Sequence, residues 1–425
     1  MDQPARPGMG RIVTTALAGA SIEWYDFFIY GTAAAMVFPA LFFPGSDPLV
    51  GTLLSFGTFA VGFIARPVGG IIFGHYGDQV GRKRSLVAAL LLMGITTTCI
   101  GLMPTYATIG VWAPVLLIAL RFAQGIAIGG QWGGAVLLLT ESAPPERRGF
   151  YGSFAQLGVP MGVLLANLVF LLVTKTFGDE ALQEWAWRLP FLFSVVLIGI
   201  GAYVNMKLEE TPAFEQAQKQ AQPTQRSPIL QALREHPRII FLAAGAFVAV
   251  NSLVYIFITY IVAYATKTLG MPKTTVLTAV MVSAVVQSPA LVIAAHVSDR
   301  VGRHTVFLWG AALLGCWSLV FFPLVDSGSF TQILIALTVG QGFLSLMYGP
   351  QAALFGELFP VEIRYSGASL GYQIGAIFGG AFAPLIAASL LAATGSSMAI
   401  GVYMALMCVI TFVSILMLRG ARVHH

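Results

Sequence analysis

The stretch Gly74-His75-Tyr76-Gly77-Asp78-Gln79-Val80-Gly81-Arg82-Lys83-Arg84 is a short charged segment between two long apolar runs, and it decides the fold. A second stretch, His296-Val297-Ser298-Asp299-Arg300-Val301-Gly302-Arg303, repeats its His, Asp, Val, Gly and Arg in register. The spacing is constant, because 299 minus 78 and 303 minus 82 both give 221. Five identities in register predict a chain of two similar halves, with this hairpin at the same place in each.

The composition indicates which solvent surrounds this protein. Of its 425 residues, 57% are hydrophobic and only 10% are charged, whereas an ordinary soluble domain has about 25% charged residues. So few charges cannot cover the surface of a soluble fold, and we expect most of that surface to face lipid. The net charge of +5 is interpreted as the excess of Lys and Arg that sets membrane topology, and nucleic acid is not expected as a partner. Three cysteines lie in apolar runs and are expected to be packing residues rather than a disulfide or metal set: Cys99, Cys316 and Cys408.

Twelve apolar runs reach the length of about 20 residues that a membrane-spanning helix needs. The first contains Glu23 and Asp26 and has no small-residue cleavage site, so we expect a retained helix rather than a signal peptide. The sequence therefore predicts an all-α membrane protein with twelve transmembrane helices. The predicted spans lie near 14–42, 52–75, 86–104, 112–141, 151–174, 188–207, 239–266, 275–297, 305–325, 331–356, 367–392 and 397–418.

The distribution of Lys and Arg predicts the orientation. The tails and the loops on their side hold seventeen of these residues and the opposite loops hold four, so both termini are expected to be cytoplasmic. The polar segment 208–238 is predicted to be a cytoplasmic linker. It would join an N-terminal six-helix bundle, 1–207, to a C-terminal six-helix bundle, 239–425. A second repeat supports this division, because Glu, Pro, Glu and Arg at 141, 144, 146 and 148 recur 216 residues later.

Several motifs carry a family resemblance. The hairpin from Gly74 to Arg84 resembles the signature G-x-x-x-D-x-x-G-R-[KR]-[KR] of major facilitator transporters, and residues 296–303 resemble its degenerate second copy. The resemblance implies parallel six-helix halves with a substrate site at the bilayer midplane between them. Other stretches are similar to the metabolite:proton symporter family, which includes carriers of shikimate, α-ketoglutarate, citrate and proline/betaine. These stretches are Glu23–Phe27, Ala65–Gly70, Arg121–Gly125, Gly129–Gly134, Glu141–Phe154 and Glu357–Gly367.

The chain departs from that family at Gln131, where the family usually has Glu. A glutamine cannot ionise, so a candidate proton site is lost at this position. One interpretation is that other residues couple transport to protons. The other is that this protein exchanges or facilitates its substrate without proton coupling.

Four charged residues interrupt the apolar spans of the first half: Glu23, Asp26, Arg66 and Arg121. Each costs about 2.5 to 3.5 kcal/mol in a membrane helix on insertion scales, so each invites a functional hypothesis. Glu23 and Asp26 are three residues apart and are expected on one helix face. One interpretation is a structural cluster in which acids and guanidiniums neutralise one another. The other is that Asp26 or Glu23 takes up a proton while an arginine holds an anionic substrate, because a guanidinium can bind both carboxylate oxygens.

The second half lacks this charge cluster. Residues 121–125 correspond to residues 338–342 at an offset of 217, and Arg121 becomes Thr338. Neutral polar and aromatic residues stand there instead, either as packing residues or as groups that recognise a polar ligand. They are Asn251, Tyr255, Tyr260, Gln287, Gln341, Tyr348, Gln351, Tyr372 and Gln373. The full set of candidate substrate or proton-coupling residues is Glu23, Asp26, Tyr30, Arg66, Arg121, Gln124, Gln131, Trp132, Tyr255, Gln341, Tyr348 and Gln351.

The hairpin itself is expected to form a gate. By the resemblance, Asp78 bonds the N-terminal end of a helix from the other half, where the helix dipole favours it, and so stabilises the outward-open state. The alternative is a basic loop that only sets topology, which explains the arginines but neither Asp78 nor the glycines. Glu141 with Arg147 or Arg148, and Glu357 with Arg364, are expected to be ion pairs beside it. The candidate gating residues are Gly74, Gly77, Asp78, Gly81, Arg82, Glu141, Arg148, Asp299, Arg303, Glu357 and Arg364.

These features predict a monomeric, proton-coupled importer of a small mono- or dicarboxylate in a bacterial inner membrane. No cofactor and no metal are expected, and the proton gradient would drive transport. The runner-up is a betaine or zwitterion carrier, for which Trp24, Tyr25, Tyr30 and Trp132 would line a cation–π pocket. An enzyme is not expected, since no nucleophile or metal constellation is present. A passive channel would not need a duplicated latch.

Overall fold

The computed structural model describes residues 9–80, 82–129, 139–140, 143–207, 237–358 and 364–420. Within these ranges the chain forms twelve long helices and no β-strand. The first six are α1 (Met9–Met36), α2 (Pro48–Val80), α3 (Arg82–Leu102), α4 (Trp112–Gly129), α5 (Arg148–Ala186) and α6 (Arg188–Lys207). The next six are α7 (Pro237–Thr268), α8 (Lys273–Val301), α9 (Arg303–Val325), α10 (Phe330–Glu357), α11 (364–394) and α12 (Met398–Gly420).

The predicted all-α membrane fold with twelve helices is confirmed. In the described part of the chain, nine helices are long and apolar enough to cross a membrane, and Val87–Leu102 and Arg188–Gly199 are shorter apolar segments. Most of the predicted linker, residues 208–236, lies outside the described residues, and the division of the chain at that linker stays a prediction.

The helices on either side of both hairpins are longer than the sequence predicted. The spans were expected to end near residues 75 and 297, but α2 runs to Val80 and α8 runs to Val301. The following helices begin at Arg82 and Arg303. Hydropathy marks where apolar residues stop, whereas a helix satisfies its own backbone and can continue into a polar layer. In the second hairpin only Gly302 separates the helices, and its φ of 104° is open to glycine but rarely to other residues.

The helix packing repeats with a period of six helices. Helix α2 packs on α4 as α8 packs on α10, and α3 packs on α6 as α9 packs on α12. Likewise α1 packs on α5 as α7 packs on α11. The two sets of six meet where α5 contacts α8 and α10, and where α2 contacts α11. The duplication read from the hairpins therefore extends to the packing of the whole bundle.

Glycines bring α2 and α4 unusually close. A Cβ built on Gly69 would lie 1.9 Å from the carbonyl oxygen of Ile126, and one on Gly125 would lie 2.1 Å from that of Gly62. A Cβ on Gly129 would lie 2.0 Å from the carbonyl oxygen of Arg66. Small residues allow such backbone approach in membrane helices. This interface holds the helices that carry Arg66 and Arg121 against each other.

Two helices of the second half contain π-helical turns. They lie at Ile256–Tyr260 and Tyr264–Thr268 in α7, and at Ala376–Ala381 in α11. The first follows Tyr255 directly, and Gly380 of the third abuts the ring of Tyr255. Such turns often mark functional positions in helices, and here the first and the third lie beside Tyr255.

The long helices give the bundle two ends. The hairpin end holds the junctions at Val80–Arg82 and Val301–Arg303, and the opposite end holds the starts of α2 and α8 at Pro48 and Lys273.

Candidate functional site

Two arginines lie buried at the centre of the bundle and share one aromatic ring. Arg66 of α2 is 1% exposed and Arg121 of α4 is fully buried. Their Cζ atoms lie 4.7 and 4.5 Å from the centroid of the Phe27 ring. Phe63 lies 4.4 Å from Arg66, and Tyr30 lies 4.1 Å from Arg121. Aromatic faces attract desolvated cations. These rings therefore stabilise two guanidiniums that are buried inside the bundle.

The hydrogen-bonding groups of these arginines are incompletely used. Nε and Nη2 of Arg66, and Nε and Nη2 of Arg121, are buried and have no hydrogen-bond partner. In a guanidinium these two nitrogens carry parallel N–H groups, which match the two oxygens of a carboxylate. Unpaired buried charges are expensive. Two such pairs in one place have the geometry that could bind an anion.

The carboxylate of Asp26 does not join the arginines. It is fully buried, its neighbours are Thr97 of α3 and Ser194 of α6, and neither of its oxygens has a hydrogen bond. The expected cluster, in which both acids neutralise both arginines, is therefore not what Asp26 forms. The reason is rotational: successive residues of a helix point about 100° apart, and α1 turns Phe27, not Asp26, towards the guanidiniums.

The other acid, Glu23, lies near Arg66. It is 9% exposed. Tyr348 of α10 and Tyr372 of α11 are its neighbours from the second half. Tyr255 of α7 completes this wall, with its ring 5.0 Å from that of Phe63. The second half thus supplies phenol groups beside Arg66.

The second half also buries amide side chains with unused atoms. Both polar atoms of Gln287 on α8 and of Gln351 on α10 lack a hydrogen-bond partner, as does Oε1 of Gln341 on α10. The corresponding glutamine of the first half, Gln124, is fully paired: its Oε1 accepts from Nη1 of Arg121 at 2.5 Å, and its Nε2 donates to Thr97 at 2.8 Å.

At the hairpin end, Asp299 links the two halves. Its Oδ1 accepts the backbone N–H of Gly149, and its Oδ2 accepts that of Phe150, both at 2.9 Å. These N–H groups lie in the first turn of α5, where a helix has unpaired donors and a positive dipole end. A Cβ on Gly149 would lie 2.5 Å from Oδ1 of Asp299, so a glycine is needed there. This is the interaction that the sequence predicted for Asp78, observed in the second copy of the hairpin.

Two charged side chains extend this latch. Arg303 donates to Oδ1 of Asp299 at 3.0 Å and also pairs with Glu357. The sequence paired Glu357 with Arg364 instead. The described partner is Arg303, because α9 begins there and brings its guanidinium next to the end of α10.

The opposite end also joins the halves. Nζ of Lys267 donates to Thr52 at 3.0 Å, and Nζ of Lys273 lies 3.4 Å from Oδ1 of Asp179. Among the described residues, the two halves are therefore in contact at both ends of the bundle, and the arginines are buried between these ends.

Some predicted residues fall outside the described part of the chain. Gln131, Trp132, Gly81 and Glu141 are not among the described residues, and neither are the side chains of Asp78, Arg82 and Arg364 or the surroundings of Gly74 and Gly77. Arg148 begins α5, and its buried Nε has no partner. Conversely, the sequence did not predict Phe27, Phe59 and Phe63 as arginine partners. For Phe59 and Phe63, the spacing of residues 59, 63 and 66 could have indicated this role, because it places both rings on the same face of α2 as Arg66.

The twelve-helix fold, with packing that repeats after six helices, is that of a membrane transporter. The sequence profile of the family described as "Sugar (and other) transporter" matches residues 12–239. That of the "Major Facilitator Superfamily" matches residues 253–424. The chain belongs to the major facilitator superfamily.

Similar proteins cover nearly the whole chain. The inner membrane metabolite transport protein YhjE of Escherichia coli is 43% identical over 97% of this chain and 94% of its own length. The shikimate transporter of Escherichia coli is 37% identical over 97% and 95%. The proline/betaine transporter of Salmonella typhimurium is 32% identical over 95% and 82%. The protein is therefore a multi-pass metabolite transporter of this superfamily.

The solved structures share the fold. The xylose transporter XylE of Escherichia coli, in a partially occluded inward-open conformation, superposes with a TM-score of 0.76 at 17% identity and covers 98% of both chains. This likeness confirms the twelve-helix architecture and does not extend to the substrate.

Proposed function

We propose that this protein imports a small organic acid together with protons across a bacterial inner membrane. The carboxylate of the substrate would bind the free N–H pairs of Arg66 and Arg121. The hydroxyl and amide groups of the second half would bind the rest of the molecule. Asp26 or Glu23 would carry the proton, and Asp26 has the stronger case because it is buried without a partner.

The observation that carries this proposal is the pair of unused guanidinium forks. Buried guanidinium N–H groups that have no hydrogen-bond partner are unfavourable. They become favourable when an anion binds, because charge-assisted bidentate hydrogen bonds form in a place without water. One arginine suffices for a monocarboxylate, and both together suit a dicarboxylate.

The structure does not favour the betaine alternative. A trimethylammonium group needs free aromatic faces, but the ring of Tyr30 faces Arg121 and that of Trp24 lies 5.9 Å from Arg66. The hydroxyl of Tyr25 donates to the carbonyl of Pro190 at 2.8 Å. Guanidiniums already occupy two of the four rings that were expected to form the cation pocket.

The orientation follows from the distribution of charge. We place the hairpin end, with Arg300 and Arg303, in the cytoplasm together with both termini, since positive residues are retained on that side. The latch of Asp299 on α5 then closes the cytoplasmic exit and stabilises outward-facing and occluded states.

Reconstituted protein tests the proposal directly. In proteoliposomes with an acidic outside, we expect shikimate, as a probe carboxylate, or a related hydroxylated acid to accumulate above the outside concentration, and a protonophore to abolish this accumulation. Proline, glycine betaine and xylose should not accumulate. Uptake of only these neutral or zwitterionic compounds would refute the substrate class. Exchange of preloaded acid without gradient-driven accumulation would refute proton coupling and establish the exchanger.

Position 131 gives a second test of coupling. Restoring the acid by Gln131→Glu should change the pH dependence of uptake, because a titratable group enters the span. An unchanged pH profile would remove position 131 from the proton route.

A further inference from the structure

Three aromatic rings surround the guanidinium of Arg121. The ring centroids of Tyr30, Phe27 and Phe59 lie 4.1, 4.5 and 5.0 Å from its Cζ atom. Tyr30 is the nearest of the three rings, and it alone among them carries a polar atom. Tyr30 is fully buried, so its hydroxyl needs a hydrogen-bond partner inside the protein.

Thr58 of α2 is that partner. The Tyr30 hydroxyl donates to Oγ1 of Thr58 at 2.7 Å, and Oγ1 of Thr58 donates to the carbonyl oxygen of Ser55 at 2.7 Å. Thr58 is buried as well. Its hydroxyl oxygen is therefore fixed on its own helix, and the hydrogen bond from Tyr30 fixes the position of the tyrosine ring on α1.

These contacts restrict the orientation of the Arg121 guanidinium, which is a rigid planar group. Its Cζ atom lies over the Tyr30 ring, and its Nη1 donates to Oε1 of Gln124 at 2.5 Å. Its Nε and Nη2 have no hydrogen-bond partner. The ring and the amide thus hold the group at two places and leave the edge that matches the two oxygens of a carboxylate.

The second half lacks both the arginine and the hydroxyl. Ala279 stands where α2 has Thr58, at the offset of 221 that relates the hairpins, and Thr338 stands where α4 has Arg121. The helices themselves pack alike in both halves, α2 on α4 as α8 on α10. The internal duplication therefore associates the Thr58 hydroxyl with the arginine and not with the shared helix packing.

We propose that Thr58 is a positioning residue that orients Arg121, through Tyr30, for binding a carboxylate. Without the hydrogen bond, the buried Tyr30 hydroxyl would turn towards another acceptor, because an unpaired buried hydroxyl is unfavourable. The ring would then move away from the guanidinium. This inference rests on the proposed function, since it names a residue that prepares the same site.

Nuclear magnetic resonance of the full-length protein with isotope-labelled arginine, measured without substrate, reports the position of Arg121. Its Nε–H signal is assigned by its loss in Arg121→Lys. The chemical shift depends on the surrounding rings, so Thr58→Val, which removes the hydroxyl and keeps the shape, should shift this signal. Thr58→Ser keeps the hydroxyl and should preserve the wild-type signal. Thr58→Ala replaces Thr58→Val if that variant does not fold.

Two further variants separate this role from a purely structural one. The Ser55 hydroxyl also ties α2 to α1, because it donates to the carbonyl oxygen of Ala34 at 2.7 Å. Ser55→Ala removes that bond and keeps the carbonyl that Thr58 uses, so it should leave the Arg121 signal unchanged. In Tyr30→Phe there is no hydroxyl to hold, so adding Thr58→Val should shift the signal no further.

Ligand binding by the same variants measures the consequence for the site. We expect the affinity for shikimate to fall about fivefold in Thr58→Val, which is the effect of one buried hydrogen bond. The affinity for its methyl ester, which lacks the charge, should stay unchanged. Thr58→Ser should bind both compounds like wild type.

Four results would overturn the inference. They are an unmoved Arg121 signal in both Thr58→Val and Thr58→Ala, an equal shift in Ser55→Ala, a further shift when Thr58→Val is added to Tyr30→Phe, and an equal loss of affinity for acid and ester. The proposed function fails separately, if wild-type protein binds hydroxylated acids no more tightly than their esters. A shifted Arg121 signal in that case would support the orientation of Arg121 by Thr58 and refute the carboxylate.

Discussion

The two halves of this transporter share a packing frame and differ at its centre. The same glutamine stands in both, since 341 minus 124 and 338 minus 121 both give 217. In the first half Gln124 accepts a hydrogen bond from Arg121. In the second half Thr338 replaces the arginine, and Oε1 of Gln341 is left buried without a partner.

This difference shows how a duplicated bundle acquires two roles. The first half concentrates charge: two guanidiniums, two acids and the rings that hold them. The second half keeps neutral amides and phenols with unused hydrogen-bonding capacity, which suits a ligand's hydroxyl groups. The helix packing can accept different central residues in the two halves, because the helices approach each other most closely at glycines and not at the central polar residues.

Replacing Arg121 by the threonine that stands at the corresponding position of the second half should have the largest effect on carboxylate binding. Arg121→Thr removes one carboxylate fork, and a bidentate charge-assisted interaction is worth about 3 kcal/mol, or roughly 100-fold in affinity. We expect carboxylate binding to weaken by that factor in an equilibrium binding assay. Arg121→Lys keeps the charge without the fork and should lie between the two. Wild-type affinity in Arg121→Thr would contradict the assignment.

A smaller loss of carboxylate affinity should follow when a new methyl group on α2 displaces Arg121. A Cβ on Gly62 would lie 2.6 Å from Nε of Arg121, whereas one on Gly57 of the same helix meets nothing within 4 Å. Gly62→Ala should weaken carboxylate binding about tenfold, since small displacements of a charged donor degrade its hydrogen bonds. Gly57→Ala is the control and should bind like wild type. Equal behaviour of the two variants would show that Arg121 needs no fixed position.

The latch tests the same comparison at the hairpin end. Asp299→Asn removes the negative charge at the start of α5, worth about 1 kcal/mol there, and favours opening of the halves by roughly fivefold. A cysteine in place of Ala352, which is buried against Leu139 and Ala155, should then react several times faster with a maleimide. Asp47→Asn, whose carboxylate only bonds the backbone N–H of Leu49 at the opposite end, should not change that rate.

A substitution among the neutral polar residues of the second half should have the smallest effect on substrate affinity. Gln341→Met removes one amide that would bind a substrate hydroxyl, worth about 1 kcal/mol, so affinity should fall roughly threefold to fivefold. The melting temperature should rise slightly, because a buried unpaired oxygen disappears. A loss as large as that of Arg121→Thr would mean that the second half, not the first, anchors the substrate.

The sequence predicted the fold better than it predicted the site. Apolar runs and the duplicated hairpin were sufficient for the twelve helices, because each span must satisfy its backbone alone. Arg66 and Arg121 were found because charge is costly in lipid. The sequence did not predict that Asp26 would lie beside Thr97 and Ser194 rather than beside the arginines. Neighbouring residues of a helix point about 100° apart, and the rotation of α1 about its axis is set by its packing.

The family resemblance predicted the latch for Asp78 of the first hairpin. The structure shows it for Asp299 of the second hairpin. Asp299 bonds α5, whereas the side chain of Asp78 lies outside the described residues. The hydrogen bond from Gln124 to Thr97 could not be predicted, because α4 and α3 bring these residues together from 27 positions apart and no spacing rule connects them.

The central claim is that the first half binds a carboxylate through its two arginine forks. The most direct measurement compares the binding of acids with that of their methyl esters, which keep the shape but lose the charge, to the purified wild-type protein. We predict that at least one hydroxylated acid, with shikimate as the first probe, binds about 100-fold more tightly than its ester. Esters that bind as tightly as their acids, or glycine betaine that binds more tightly than every acid, would contradict the account.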